Sequence, residues 1–238
     1  MFNGKMKAIT FSYDDGVTQD IRLIEMFNKY NIKGTFNLNS GLLGREGMLP
    51  IEGKEISHVK NKPEDVKHIY DGHEVAVHTL THPNLVNVSD EEVLRQVEED
   101  RIKLSELCGY EVEGMAYPCG GKNCDDRVAS IIKNNTVIKY ARTVDTTLEF
   151  EPYGDLHQYK GTLYHNAQWD KLFDIGEKFL ELKSDTPKIF YIWGHSYEFD
   201  IYPERWKKFE EFCEMMSNRS DIFYGTNIEI FKHLNKQG

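Results

Sequence analysis

No stretch of this 238-residue chain approaches the roughly 18 consecutive apolar residues needed to span a bilayer. The opening Met-Phe-Asn-Gly-Lys-Met-Lys likewise lacks the continuous apolar core of a secretory leader. The expectation is therefore a cytoplasmic protein with no membrane partner. Cysteine is scarce: the four residues Cys108, Cys119, Cys124 and Cys213 are irregularly spaced. That excludes a disulfide framework and a CxxC zinc motif, and reduced thiols are expected. Positive charge is also in deficit. Lys and Arg total 29 against 39 Asp and Glu, and the resulting net charge of -10 repels phosphate backbones and anionic lipid surfaces. Nucleic acid is not an expected partner. No internal repeat or low-complexity tract is visible, and no feature of the sequence assigns an oligomeric state.

Aromatic residues, by contrast, are plentiful, with 13 Phe, 13 Tyr and 3 Trp, and 39% of the chain is hydrophobic. This supply is enough for one large core, so residues 1–238 are read as a single globular domain. Short apolar runs at 7–13, 34–38, 74–77, 114–117, 137–141, 188–193 and 222–224 have the length and flanking turns of strands. Between them, 20–30, 63–70, 125–133, 169–182 and 203–216 carry helical signals. Ser89-Asp90-Glu91-Glu92 has the pattern of a capping box and opens a further helix reaching about Leu107. The stretch 142–168 reads as irregular. Seven strands separated mostly by helices predict an α/β fold, a distorted (β/α) barrel with about seven parallel strands.

Reactive side chains collect just after these strands: Asp14 and Asp15 after the first, His78 and His82 after the third, Pro118 to Gly121 after the fourth. Arg142 follows the fifth and His195 the sixth. In such folds the carboxyl ends of parallel strands form the ligand face, so these positions are expected to converge. His78 and His82 are four apart, a spacing that can put both rings on one side of a helical turn, but alone the pair is a weak metal signal. Asp15 can supply a third ligand. Two imidazoles and a carboxylate leave coordination positions open, as a catalytic metal requires. Asp14 then becomes the candidate to take a proton from water. By itself Asp14-Asp15-Gly16 is also an ordinary turn, and His195 an ordinary strand-end histidine.

Together these residues resemble the polysaccharide deacetylase family, also called carbohydrate esterase family 4 or the NodB-homology domain. The resemblance runs from about Lys7 to Leu234. It rests on Ser12-Tyr13-Asp14-Asp15-Gly16, similar to the family's Thr-Phe-Asp-Asp-Gly, and on His78-Thr79-Leu80-Thr81-His82, similar to its His-Thr/Ser-x-x-His. It implies that Asp14 is the base, that Asp15, His78 and His82 hold a divalent metal, and that His195, in Trp193-Gly194-His195, is the acid. The metal implied is Zn2+, with Co2+, Ni2+ or Mn2+ as alternatives. The family's Arg-x-Pro-x-Gly falls on Ala116-Tyr117-Pro118-Cys119-Gly120, so the arginine that orients the base is missing there. Arg142 is the substitute from another strand. By the same resemblance the backbone N–H of Cys119 helps to bind the oxyanion. Tyr117, Pro118, Cys119, Gly120 and Trp193 are the expected substrate contacts, and either Asp145 or Glu198 would hold His195.

The implied activity is removal of N-acetyl, or O-acetyl, groups from an acetylated sugar, oligosaccharide or polysaccharide. Its rivals are an amidase acting on small non-sugar acyl amides, a carbohydrate-binding protein without catalysis, and a non-haem iron oxygenase sharing the two-histidine, one-carboxylate ligand set.

Overall fold

The computed structural model describes residues 1–152 and 154–235. In chain order the elements are β1 (Lys7–Asp14), α1 (Gln19–Lys29), β2 (Gly34–Leu38), β3 (Met48–Ile51), β4 (Lys54–Ser57), α2 (Val66–Ile69), β5 (Glu74–Val77), α3 (Asp90–Cys108) and β6 (Gly114–Ala116). They continue with α4 (Asp126–Asn135), β7 (Tyr140–Thr146), β8 (Tyr159–Gly161), β9 (Leu163–Tyr164), α5 (Leu172–Glu181), β10 (Lys188–Gly194), α6 (Glu204–Met216), β11 (Ile222–Tyr224) and α7 (Asn227–Asn235).

Among the described residues nine strands form one sheet, all paired in parallel: eight follow in the order β8-β7-β6-β5-β2-β1-β10-β9, and β11 joins at β1. The edge of β1 that faces away from β10 is shared: β11 pairs with residues Lys7 to Ile9 and β2 with residues Phe11 to Asp14. The two ends of the sheet, β8 and β9, are successive parts of one extended segment. No strand ladder joins them among the described residues, so the barrel is incompletely closed. Thr162, between them, donates its N–H to Tyr191 O at 2.8 Å. No described helix is long and apolar enough to cross a membrane.

Alternation along the strands decides what lies inside. In β1 all eight residues are buried. Ile9, Phe11 and Tyr13 belong to the large core beneath the helices, with Phe27 of α1 and Phe209 of α6. Ala8, Thr10, Ser12 and Asp14 are the alternate residues, which by the two-residue period of a strand point into the barrel. The same parity places Glu74 and Ala76 of β5 inside, followed by His78. On β7 it places Tyr140 and Arg142 inside, and on β10 Tyr191 and Trp193, followed by His195. Ala8, Tyr140, Tyr191 and Trp193 share an inner aromatic cluster. At its lower end Glu74 accepts from Thr35 and Tyr140, and Asn227 of α7 donates to the Tyr191 hydroxyl. Side chains at the upper end therefore converge on a single rim.

The expected fold class stands, and several details differ. The fifth strand begins at Tyr140, not at 137, because pairing with β6 starts at Gly114↔Tyr140, and it runs on to Thr146. Residues 142–168, read as irregular, therefore contain most of β7 and both short strands β8 and β9. The predicted helix 63–70 divides into a 3-10 turn, Pro63–Asp65, and α2, while the one expected from 169 also opens with a 3-10 turn. The antiparallel hairpin β3–β4 and helix α7 were not expected. At α3 the Ser89 hydroxyl accepts from Glu92 N–H at 3.3 Å, as a cap should. The Glu92 carboxylate goes instead to Arg95 and Gln96, leaving the box one-armed. Ser89→Ala should accordingly cost about 1 kcal/mol in urea unfolding. Glu92→Ala should cost less than half of that, because its ion pair with Arg95 is solvent-exposed and Gln96 keeps its bonds to Thr81; equal losses would show that both arms operate.

Candidate active site

Asp14 and Asp15 end β1 side by side, both buried. Arg142 on β7 meets Asp14: one guanidinium nitrogen, Nη2, donates to Oδ1 at 2.6 Å and to Oδ2 at 2.5 Å. In a flat sheet four strand steps would separate β1 from β7 by about 19 Å. The contact exists only because the sheet curls and both residues point inward. Arg142 also pairs across β6–β7 with Ala116, the position where the family carries its arginine. Neighbours in register share a face, so the guanidinium comes from the adjacent strand, with a small residue beside it. Asn37, beside Asp14 on β2, donates to Oδ1 at 2.8 Å. Burial pushes the Asp14 carboxyl up, but Arg142, His78 and His195 together hold it below its ordinary range. Oδ2, 4.0 Å from His195 Nε2, is the oxygen turned toward the opposite wall.

Asp15 has a left-handed backbone, φ 85°, and Gly16 follows at 64°. A Cβ at Gly16 would lie 2.7 Å from Leu38 Cδ2, so conformation favours glycine there and a larger residue would also have to displace the Leu38 side chain. Thr79, His82 and Cys119 also have positive φ, at 69°, 62° and 68°. Such conformations cost about 1–3 kcal/mol each in non-glycine residues and persist only where surrounding contacts enforce them. Asn39 is one enforcer, donating to the carbonyls of His78 and Thr79 at 2.6 and 2.9 Å.

The turn carrying the two histidines is therefore not helical, as the four-residue spacing had suggested. His78 continues the inner face of β5 and His82 returns from a loop, bringing the ring centroids to 5.0 Å. His78 Nδ1 lies 2.9 Å from Ala116 O, an acceptor, so this nitrogen carries the proton and Nε2 keeps its lone pair. Burial, the largest influence on each, lowers the pKa of His82 and pushes that of His78 down to about 4. Both rings are thus neutral near pH 7. One ligand atom from each of Asp15, His78 and His82 lies within 4.8 Å of the others. An ionised carboxylate and two neutral imidazoles at this separation fit a divalent cation.

Across the cleft, His195 Nδ1 lies 3.2 Å from Glu198 Oε1, and its N–H donates to Oε2 at 3.0 Å. Glu198 is held in turn by His165, 2.9 Å from Oε2, by the Tyr164 hydroxyl and by Asn166. Gly194 makes room, since a Cβ there would lie 1.7 Å from the His165 ring. Burial disfavours the imidazolium, but Glu198 and the two aspartates raise the His195 pKa to about 9. Of the two carboxylates considered for this histidine, Glu198 is the one beside it. Asp145 pairs with Lys160 at 3.4 Å and lines a neighbouring cavity.

Asp14, Asp15, His78, His82 and His195 border a cleft of about 470 Å3, whose walls also include Cys119, Gly120, Tyr164 and Tyr197. Among the expected substrate contacts, Tyr117 lines the cleft but is buried, its hydroxyl donating to His157 O at 2.7 Å. Trp193 is also at the wall and nearly buried. The Arg142 guanidinium lies 4.4 Å from its ring centre and Tyr164 stacks on it at 4.1 Å. Pro118 is not among the lining residues. The Cys119 thiol, which had no assigned role, donates to His82 O at 3.6 Å and so buttresses the loop that carries His82. All four cysteines are free. His58, Lys60, Asn37 and His165 escaped the sequence reading. Asn37 alone left a signal, as an amide within the buried strand Gly-Thr-Phe-Asn-Leu.

Glu198 supplies the charge that favours protonated His195, so its removal must lower the pKa of that histidine. In metal-free protein His195 should titrate near 9 by NMR. In Glu198→Gln the midpoint should fall by at least about one unit, whereas an unchanged midpoint would assign the shift to the aspartates alone.

Comparison with known proteins follows the same lines. The polysaccharide deacetylase family model matches residues 3–139, more than half of the chain. No curated protein shows significant sequence similarity. Among solved structures, a carbohydrate esterase family 4 domain of a multidomain xylanase from the hindgut metagenome of Trinervitermes trinervoides superposes with a TM-score of 0.61 at 16% identity, covering 96% of this chain and 91% of that one. A peptidoglycan N-acetylglucosamine deacetylase gives 0.58 at 19% identity, with 96% and 89% covered. A family 4 acetyl xylan esterase from Clostridium thermocellum, in complex with a cobalt ion, gives 0.52 at 14% identity, with 96% and 92% covered. At such identities the structures establish the fold, and the family model establishes kinship: the chain belongs to the polysaccharide deacetylase family.

Proposed function

We propose that the protein is a metal-dependent hydrolase that removes acetyl groups from an N-acetylated sugar or oligosaccharide, with Asp14 as base and His195 as acid. One observation carries the reading. A metal-competent trio, Asp15, His78 and His82, stands beside an ionised carboxylate on one side of the cleft, with a protonated imidazole opposite it. A divalent ion, Zn2+ first or a neighbour such as Co2+, would acidify water and polarise the acyl oxygen.

The chain's own residues perform the remaining tasks. Arg142 and Asn37 fix Asp14 with Oδ2 toward the cleft, where it takes the proton of the attacking water. Cys119 lies at the cleft wall with a positive φ, and by the family resemblance its backbone N–H would meet the developing oxyanion. His195, aimed by Glu198, donates its proton to the departing amine. A free amine cannot leave as an anion at neutral pH, so this donor is essential for amide cleavage. The volume of the cleft lies in the usual range for small-molecule sites, about 300–1,000 Å3, which suits one sugar residue and its acetamide. The arginine missing at position 116 no longer argues for a non-sugar amide, since Arg142 occupies the place beside the base.

Acetate release from N-acetylated oligosaccharides, measured beside simple acylated amines, tests this reading. Chelation should abolish release and Zn2+ or Co2+ should restore it; turnover confined to the simple amines would replace the sugar with a small amide. Asp14→Asn should keep its metal yet lose about 100-fold or more in kcat. His78→Ala should lose the metal itself by elemental analysis. An Asp14→Asn enzyme with nearly normal kcat would remove Asp14 from the role of base.

A further inference from the structure

Asp15 is gripped from behind by a segment that the sequence did not connect with it. After β4 the chain returns to the end of β1: Val17 and Lys60 form an isolated antiparallel bridge, and Asn61 N–H donates to Gly16 O at 2.9 Å. This brings Lys60, 5% exposed, against the turn. Its Nζ donates to Asp15 O at 2.7 Å and lies 3.1 Å from Oδ1. Oδ1 is also the oxygen facing His82 Nε2, at 3.8 Å, and so the one directed toward the histidine side of the trio. Oδ2 faces His58 Nε2 at 3.2 Å. Neither Lys60 nor His58 lines the cleft, so both act through Asp15 and not on substrate.

A buried ammonium is costly unless paired, and so is a buried carboxylate. Here each answers the other. A divalent ion coordinated by Asp15 would add positive charge within a few ångströms of that ammonium, in surroundings that screen poorly. The other charged or titratable groups acting on Asp15 or Lys60 are Asp14, already matched to Arg142, the buried Asp20, which accepts from the Ser196 and Tyr70 hydroxyls, Cys119, Tyr197 and the histidines 58, 78, 82 and 195.

We propose that Lys60 is a built-in counter-cation for Asp15, sharing the metal-facing carboxylate oxygen, so that the ligand set stays in place without metal and binds its ion more weakly and reversibly than three ligands alone would. This rests on the metal reading given above. It makes Lys60 a positioning residue that opposes the metal. Removing its charge leaves the His58 contact at Oδ2 as the nearest compensation for Asp15 in the metal-free protein and makes the metal the strongest remaining source of it. Lys60 therefore sets how readily the site loads and empties as the supply of the ion changes.

Two measurements on the full chain, neither involving substrate, test the proposal. Co2+ and Zn2+ are titrated in competition with a chromophoric chelator, and urea unfolding is followed with and without metal. Lys60→Met should bind the ion at least about tenfold more tightly than wild type. Its metal-free form should be less stable, with a wider stability gap on metal addition. Lys60→Arg, which keeps the charge, should restore wild-type behaviour. Should Lys60→Met fold only with metal present, the proposal is supported, and Lys60→Gln, which retains an amide donor, should still show the tighter binding. Equal or weaker binding in both neutral variants overturns the proposal while leaving the metal reading intact. A wild type that binds neither ion removes both, whereas failure of acetate release with these titrations as expected removes only the deacetylase reading.

Discussion

Two adjacent carboxylates buried at the end of one strand are the constraint on which the rest of this site depends. Side by side and out of water, Asp14 and Asp15 could not both stay ionised unless each were compensated. The fold compensates them separately. Arg142 crosses the barrel to Asp14, while Lys60 and His58 come from behind to Asp15. Because the cations approach from different directions, the carboxylates are turned apart. One turns an oxygen toward His195 and the other an oxygen toward the neutral imidazole of His82. Division of labour between neighbouring acids thus follows from where their counter-charges are mounted.

The barrel makes those directions available. Inward residues alternate with core-facing ones, so the upper inner positions of β1, β5, β7 and β10 face one another once the sheet curls. The lower half of the same interior is closed by Glu74, Thr35, Tyr140 and Asn227, which satisfy one another and hold α7 across the base. Polar residues in this interior are therefore of two kinds: a self-satisfied group below and a set above with atoms left over for chemistry.

How much could be read in advance follows from the same geometry. Groups directly at strand ends, namely Asp14, Asp15, His78 and His195, declare themselves through local pattern, because a short apolar run followed by a reactive residue is visible in one dimension. Arg142 was reachable only as a position. Its partner lies 128 residues away, and nothing local records that β1 and β7 approach across a curled sheet. His58 and Lys60 were not reachable at all, because the hairpin that delivers them has short, largely exposed strands, one interrupted by Pro50 and the other mostly polar, and returns to β1 through a single bridge. Glu198 and Asp145 could be separated only by seeing which lay beside the histidine. The histidine turn misled as to conformation: four-residue spacing suggests a helix, and a strained loop achieves the same meeting of rings.

The central claim is that Asp15, His78 and His82 surround one divalent ion. Anomalous X-ray scattering from crystals soaked in Zn2+ or Co2+ tests it most directly. A single strong peak within bonding distance of one Asp15 oxygen and one nitrogen from each imidazole is the predicted result. Density on other residues, or an Asp15 still turned onto Lys60 with no ion between it and the histidines, would contradict the account.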